Sequence, residues 1–153
     1  MDRPPLEDLL HQYRDKAKKA LGLFLYSARK VAPFDLMALK TPEDLEPYDA
    51  LAGRFERAIE LTLNPLLKSI ELVETGVSSE TLRDKLNLAA KLHLIDDVEL
   101  WLEMRAARNR IAHDYVPERI KLVQDLIRTR YREEIEKFLP RLEAYLIKRG
   151  VLP

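Results

Sequence analysis

The sequence predicts an all-α domain, an up-and-down antiparallel bundle of four to five main helices, and three observations carry that prediction. Only four of 153 residues are glycine, while Leu, Ala, Glu, Lys and Arg are dense. Apolar residues recur at spacings of three and four wherever they can be counted, and strand-like alternation is absent. The helical segments are long and their connections short, which favours antiparallel neighbours as the simplest cover for each apolar stripe. A chain of this length suits one domain, residues 1–153, that buries roughly two thirds of the surface its unfolded form exposes.

The first helix is expected from about Leu6 to Val31, with Leu6, Leu9, Leu10, Tyr13, Ala17, Leu21, Phe24, Leu25 and Ala28 on one face and lysines on the other. Pro33, Pro42 and Pro47 then interrupt the pattern, predicting a linker whose Phe34, Leu36, Met37 and Leu39 pack as a short turn over the core. Leu51, Phe55, Ala58, Ile59, Leu63, Leu66, Ile70 and Val73 mark a second helix, kinked at Pro65 and closed by Gly76 as a left-handed cap. Ser78 or Ser79 caps a third helix through about Leu92, and Asp96-Asp97-Val98-Glu99 opens a fourth as an acidic capping box. The last helix begins near Pro117, carries Ile120, Val123, Ile127, Tyr131, Ile135, Phe138, Leu142 and Leu146 as its stripe, and is expected to kink or break at Pro140.

Composition narrows the function classes. With 26 Lys+Arg against 26 Asp+Glu there is no global field to hold nucleic acid, so any such binding depends on local clustering of charge. The absence of cysteine removes disulfides, thiolate nucleophiles and zinc-ribbon spacings, in keeping with a cytoplasmic location. His11, His93 and His113 have no metal-ligand spacing among themselves, so no metal is expected, and no Gly-rich phosphate loop implies a cofactor. The run from Ala20 to Tyr26, behind Lys16, Lys18 and Lys19, superficially resembles a signal peptide, but it is short and follows an acidic, amphipathic opening turn. It reads as buried helix, and no stretch approaches the roughly 20 apolar residues of a membrane span.

The chemistry is concentrated at Arg108-Asn109-Arg110-Ile111-Ala112-His113-Asp114-Tyr115, where Arg, Asn, His and Tyr stand at RNx3HxY spacing at the end of the fourth helix, about residues 97–113. Arginine offers a permanent cation with a donor fork, histidine titrates near neutrality, and tyrosine supplies a nucleophilic or modifiable hydroxyl. Leu100, Met104, Ala107 and Ile111 share one face, flanked by Trp101 and Ala112, and Arg108 falls at the edge of this stripe. On a straight helix, residues five apart lie about 140° apart around the axis, so Arg108 and His113 would not face a common point. Either the helix unwinds near Asp114, encouraged by Pro117, or a second copy completes the site across a two-fold axis, or both.

Trp101-Leu102-Glu103-Met104 followed by Arg108-Asn109-x3-His113-x-Tyr115 resembles the HEPN superfamily, the helical partner of minimal nucleotidyltransferases, including HepT-like toxins and nucleotidyltransferase substrate-binding subunits. The stretch from Arg54 to Leu61 is similar to that family's second-helix signature, and Leu94 to Trp101 is similar to the segment entering its motif helix; the likeness runs from about residue 20 to 146.

The resemblance implies a HEPN-like homodimer with Arg108 and His113 of both subunits lining a cleft, acting in the family's toxins as a metal-independent endoribonuclease. His113 would take the proton from a ribose 2′-hydroxyl and its two-fold mate would protonate the leaving oxygen, leaving a 2′,3′-cyclic phosphate. Arg108 would stabilise the phosphorane and Asn109 orient the loop or the phosphate. Tyr115 would aid catalysis and also be the acceptor of AMP from a partner nucleotidyltransferase antitoxin, the added charge and bulk closing the cleft. The alternative that the resemblance allows is a non-catalytic dimer that docks a minimal nucleotidyltransferase and presents its substrate.

Simpler roles stand beside these. Arg108 can be an ion-pair partner of Glu103 or of Glu99 of a neighbour, Tyr115 a buried anchor before Pro117, Trp101 core or interface filler, and His11 and His93 surface residues. Arg128, Arg130 and Arg132 read as a solvated helix face, or, with Arg105, Arg110, Arg119 and Lys121, as a basic rim for RNA.

Overall fold

A computed structural model describes residues 5–111 and 114–153. Within them the chain forms five helical rods and no strand. We label these α1 (Leu6–Lys30), α2 (residues 42–75), α3 (Leu82–Lys91), α4 (Val98–Ile111) and α5 (residues 117–148). In α2, helices Pro42–Leu61 and Leu67–Thr75 are joined by a π-helical turn, Thr62–Leu66; in α5, Pro117–Leu126 and Arg132–Lys148 are joined by Ile127–Tyr131 in the same way.

The expected linker is shorter than the prolines suggest, because α2 begins at Pro42 rather than near Leu51. Thr41 closes a capping box, accepting a hydrogen bond from the Asp44 amide at 3.1 Å while the Asp44 carboxylate accepts from the Thr41 amide at 3.2 Å. Pro42 sits in the first turn, where its missing N–H costs nothing, and the helix runs on through Pro47. Of the connecting residues, Phe34 is buried edge-on against Tyr48 at 4.9 Å, Leu36 and Leu39 are half-buried, and Met37 points outward.

Pro65 is accommodated within the π-helical turn of α2, and Gly76 ends that rod at φ 78° as a left-handed cap. Thr81, not Ser78 or Ser79, caps α3 through the Asp84 amide. Ser79 serves Glu71 instead, donating from its hydroxyl and its amide. Asp97 caps α4 by accepting from the Leu100 amide at 3.1 Å, while Asp96 turns to Arg141 as a two-pronged pair at 2.8 and 3.0 Å. Pro140 does not break α5: the neighbouring Phe138 and Leu142 are both buried, and the rod's irregularity falls earlier, at Ile127–Tyr131.

One core joins all five rods. Phe55 of α2 lies between Phe24 of α1 and Tyr131 of α5, each ring centroid 5.6 Å away, and Trp101 of α4 meets Phe138 of α5 at 5.3 Å. Leu100, Trp101, Met104 and Ala107 are buried and Ile111 is half-buried, as the stripe on α4 predicts. This face fixes the rotation of α4 about its axis, and therefore where Arg105, Arg108 and Arg110 emerge. Among the described residues, no helix is long and apolar enough to cross a membrane.

Candidate functional site

Arg108 leaves α4 at the edge of its buried stripe and turns toward α2. Its guanidinium pairs with the Glu60 carboxylate at 2.7 Å and donates to the Asn109 side-chain oxygen at 3.1 Å. Glu60 follows Ile59, which is wholly buried, so the packing of α2 that hides Ile59 delivers Glu60 to the rim beside α4. Neither partner is desolvated: the Arg108 side chain is 32% exposed and that of Glu60 49%. A pair of this kind contributes about 0–1 kcal/mol and exchanges readily for another anion.

A cavity of about 200 Å³ opens beside the pair, walled by Ile59, Leu63 and Asn64 of α2, Leu82 and Lys85 of α3, Glu80, and Arg105 and Arg108 of α4. Arg105 and Arg108, three residues apart, share this face of the helix. Lys85 is held in place from below, its ammonium donating to the Ser79 carbonyl at 2.6 Å and lying 3.5 Å from Glu71. Burial pushes the Glu71 carboxyl up, but hydrogen bonds from Ser79 and the charge of Lys85 outweigh it and hold the group below the ordinary carboxylate range. Glu60, Asn64 and Lys85 are site residues that reading the motif alone misses. The one available signal for Glu60 was its place inside the second-helix stretch from Arg54 to Leu61.

Neither Glu103 nor Glu99 takes Arg108. The Tyr131 hydroxyl donates to Glu103 at 2.8 Å, with Arg130 3.9 Å away, and Glu99 pairs with Arg83. Burial first, and the Glu103 carboxylate second, push the Tyr131 phenol above its usual range, so it stays a donor. Tyr115 is not a buried anchor. The Asp114 amide still donates to the Arg110 carbonyl at 3.0 Å, Val116 is extended, the Asp114 carboxylate accepts from the Val116 amide at 3.3 Å, and Tyr115 is 87% exposed. His113 and Ala112 lie outside the described residues, and so does the expected convergence of Arg108 with His113.

The basic rim divides. Arg128, Arg130, Arg132 and Lys121 each have a carboxylate within 4 Å, at Asp125, Glu103, Glu136 and Asp125. Arg105, Arg110 and Arg119 have no ion pair among the described residues, and they do not stand together: Arg105 belongs to the Arg108 cavity, whereas Arg110 and Arg119 line another on the far side of α4. Among the described residues, no group of three or more His, Cys, Asp or Glu is placed to hold a metal ion.

A model of the family described as nucleotidyltransferase substrate binding protein like matches residues 12–144, most of the chain. The chain belongs to that family. α2, α3 and α4, most of α1 and α5, the Arg108–Glu60 pair and Tyr115 fall inside the matched range of this nucleotidyltransferase substrate binding protein like domain. A comparison with curated proteins found no match.

Proposed function

We propose that the protein is a docking and substrate-presenting subunit for a minimal nucleotidyltransferase, and that the end of α4 bearing Arg108, Asn109 and Tyr115 is the surface it offers. The family match carries this reading, and the exposure of Tyr115 supports it. An aromatic residue left 87% in solvent suits a partner contact or an accessible acceptor for a transferred AMP.

The second reading is the HEPN-type toxin, a homodimeric, metal-independent endoribonuclease silenced by AMP transfer to Tyr115. The complete set Arg108, Asn109, His113 and Tyr115 favours it, with Arg105, Arg110 and Arg119 as RNA contacts. One pair of assays separates the two. On the docking reading the purified protein forms a complex with a minimal nucleotidyltransferase and leaves RNA intact in EDTA. RNA cleavage in EDTA that disappears in His113→Ala would install the toxin reading instead. For the modification, incubation with ATP and the nucleotidyltransferase adds mass in AMP units to wild type and none to Tyr115→Phe; label on the phenylalanine variant would remove Tyr115 from the account.

A further inference from the structure

Helix α1 carries a second ordered face, turned away from its buried stripe. At about 100° per residue, Lys16, Lys19, Leu23, Tyr26 and Lys30 fall within about 80° of one another around the axis. All five are exposed, Tyr26 at 60% and Leu23 at 39%. Lys18 and Arg29, off this stripe, meet Glu143 and Glu136 of α5 at 3.8 and 3.2 Å, whereas Lys16, Lys19 and Lys30 have no ion pair among the described residues.

The stripe runs into a groove of about 650 Å³ between the last turns of α1 and the start of α2, with Tyr26, Lys30 and Val31 on one wall and Leu39, Glu43 and Glu46 on the other. Glu43 and Glu46 are exposed and also have no ion pair among the described residues, so charges of both signs stand unmatched on one surface. Helix register sets their order. Arg54 donates to the Ser27 hydroxyl at 2.7 Å and the Tyr48 hydroxyl donates to the Ala32 carbonyl at 2.7 Å, so α2 runs antiparallel to α1 and Glu46 and Glu43 lie toward and past its C-terminal end. Lys19 and Lys16 lie about 10 and 15 Å from Tyr26 in the other direction, at about 1.5 Å per residue. Along the surface the order is therefore cationic, apolar, anionic, with Tyr26 near the middle. A contact between identical copies about a two-fold axis needs a patch that complements itself, and this order does so when one copy is reversed on the other. Lys30, held over the Tyr26 ring at 5.6 Å, then falls beside the exposed Gly22 of the copy and not against its lysines.

We propose that this face binds a second copy of the chain, α1 lying antiparallel on α1 about a two-fold axis through Tyr26, with Lys16 and Lys19 of each molecule against Glu43 and Glu46 of the other. The tyrosines and Leu23 supply the apolar centre and the charges fix the register. None of these residues belongs to the end of α4, so the interface is separate from the docking surface and from the Arg108–His113 cleft of the toxin reading.

Sedimentation equilibrium of the whole chain at low and high salt tests it. Wild type self-associates, and more weakly as ionic strength rises. Lys16→Glu with Lys19→Glu sets like charges face to face and weakens association about tenfold or more, as does Glu43→Lys with Glu46→Lys. The two double variants mixed in equal amounts associate with each other, and the quadruple variant, with all signs exchanged, associates as wild type does. Tyr26→Ala weakens association, and the charge control Lys91→Glu, at the end of α3, leaves it unchanged. Every substituted residue is exposed, so a melting temperature close to wild type separates lost association from lost folding. Wild type with the mass of one chain, double variants that associate as wild type does, or a folded quadruple variant that does not regain association overturns the proposal. So does a single-chain wild type that sediments with phosphatidylserine vesicles through Lys16 and Lys19, which gives the face to a membrane instead. Each outcome leaves the docking reading standing, since the complex with a nucleotidyltransferase is measured separately.

Discussion

One face of α4 from Leu100 to Ala107 is enclosed by the bundle, with Trp101 against Phe138 and Met104 wholly buried; Arg108, Asn109 and Arg110 present polar groups to solvent, and Tyr115 beyond the helix is almost fully exposed. The first stretch is held by apolar area and shape, and the second by single polar contacts of small individual worth. The rigid half sets the direction of the exposed half, so the chemistry at the end of α4 depends on packing two turns away.

Breaking the enclosed half should have the largest effect. Trp101→Ala removes a fully buried indole and is expected to cost about 3–5 kcal/mol, read as a fall in the midpoint of denaturant unfolding. An unchanged midpoint would mean that α4 is not anchored as described. The Glu71 carboxylate, which steadies Lys85 on the wall of the Arg108 cavity, sharpens the contrast through pH. Its folded-state pKa is held below the ordinary glutamate value of 4.5, so its contribution is complete above that value and is lost as pH falls through the depressed one. Glu71→Gln should therefore flatten the acid limb of the stability profile below about pH 4.5 and lower stability at neutral pH; an acid limb identical to wild type would contradict the role given to the carboxylate.

Tyr131→Phe tests the boundary between the halves, because it keeps the stacked ring on Phe55 and deletes only the hydroxyl that reaches Glu103 of α4. A loss of about 0.5–1.5 kcal/mol is expected. The smallest effect belongs to Arg108→Ala, where an exposed pair with Glu60 is worth about 0–1 kcal/mol. A loss as large as that of Trp101→Ala would make Arg108 a structural element and remove it from the candidate site.

Legibility in the sequence follows the same division. The five rods were readable because burial repeats at three and four residues, and because Pro117 and Gly76 sit where helices start and stop. The start of α2 is obscured in the sequence although Thr41 and Asp44 spell a capping box, because Pro47 reads as a break, whereas the helix is already established over Pro42–Glu46. Likewise Pro140 was read as an interruption, yet the buried contacts of Phe138 and Leu142 carry the helix through it. At the site, residue types and spacing mark Arg108, Asn109, His113 and Tyr115, of which His113 lies outside the described residues. They could not show that Glu60 of a distant helix takes the guanidinium, because spacing within one helix says nothing about its neighbours.

The account rests most directly on the exposed end of α4 being the surface that engages a nucleotidyltransferase. Titration calorimetry of a minimal nucleotidyltransferase against wild type, Tyr115→Ala and Met37→Ala measures this with an internal control, since Met37 is also outward-facing, at 76% exposed, but lies in the connection between α1 and α2. The prediction is a complex that Tyr115→Ala weakens by about tenfold or more and Met37→Ala leaves intact. Equal affinities for all three proteins, or no complex with wild type, would contradict it.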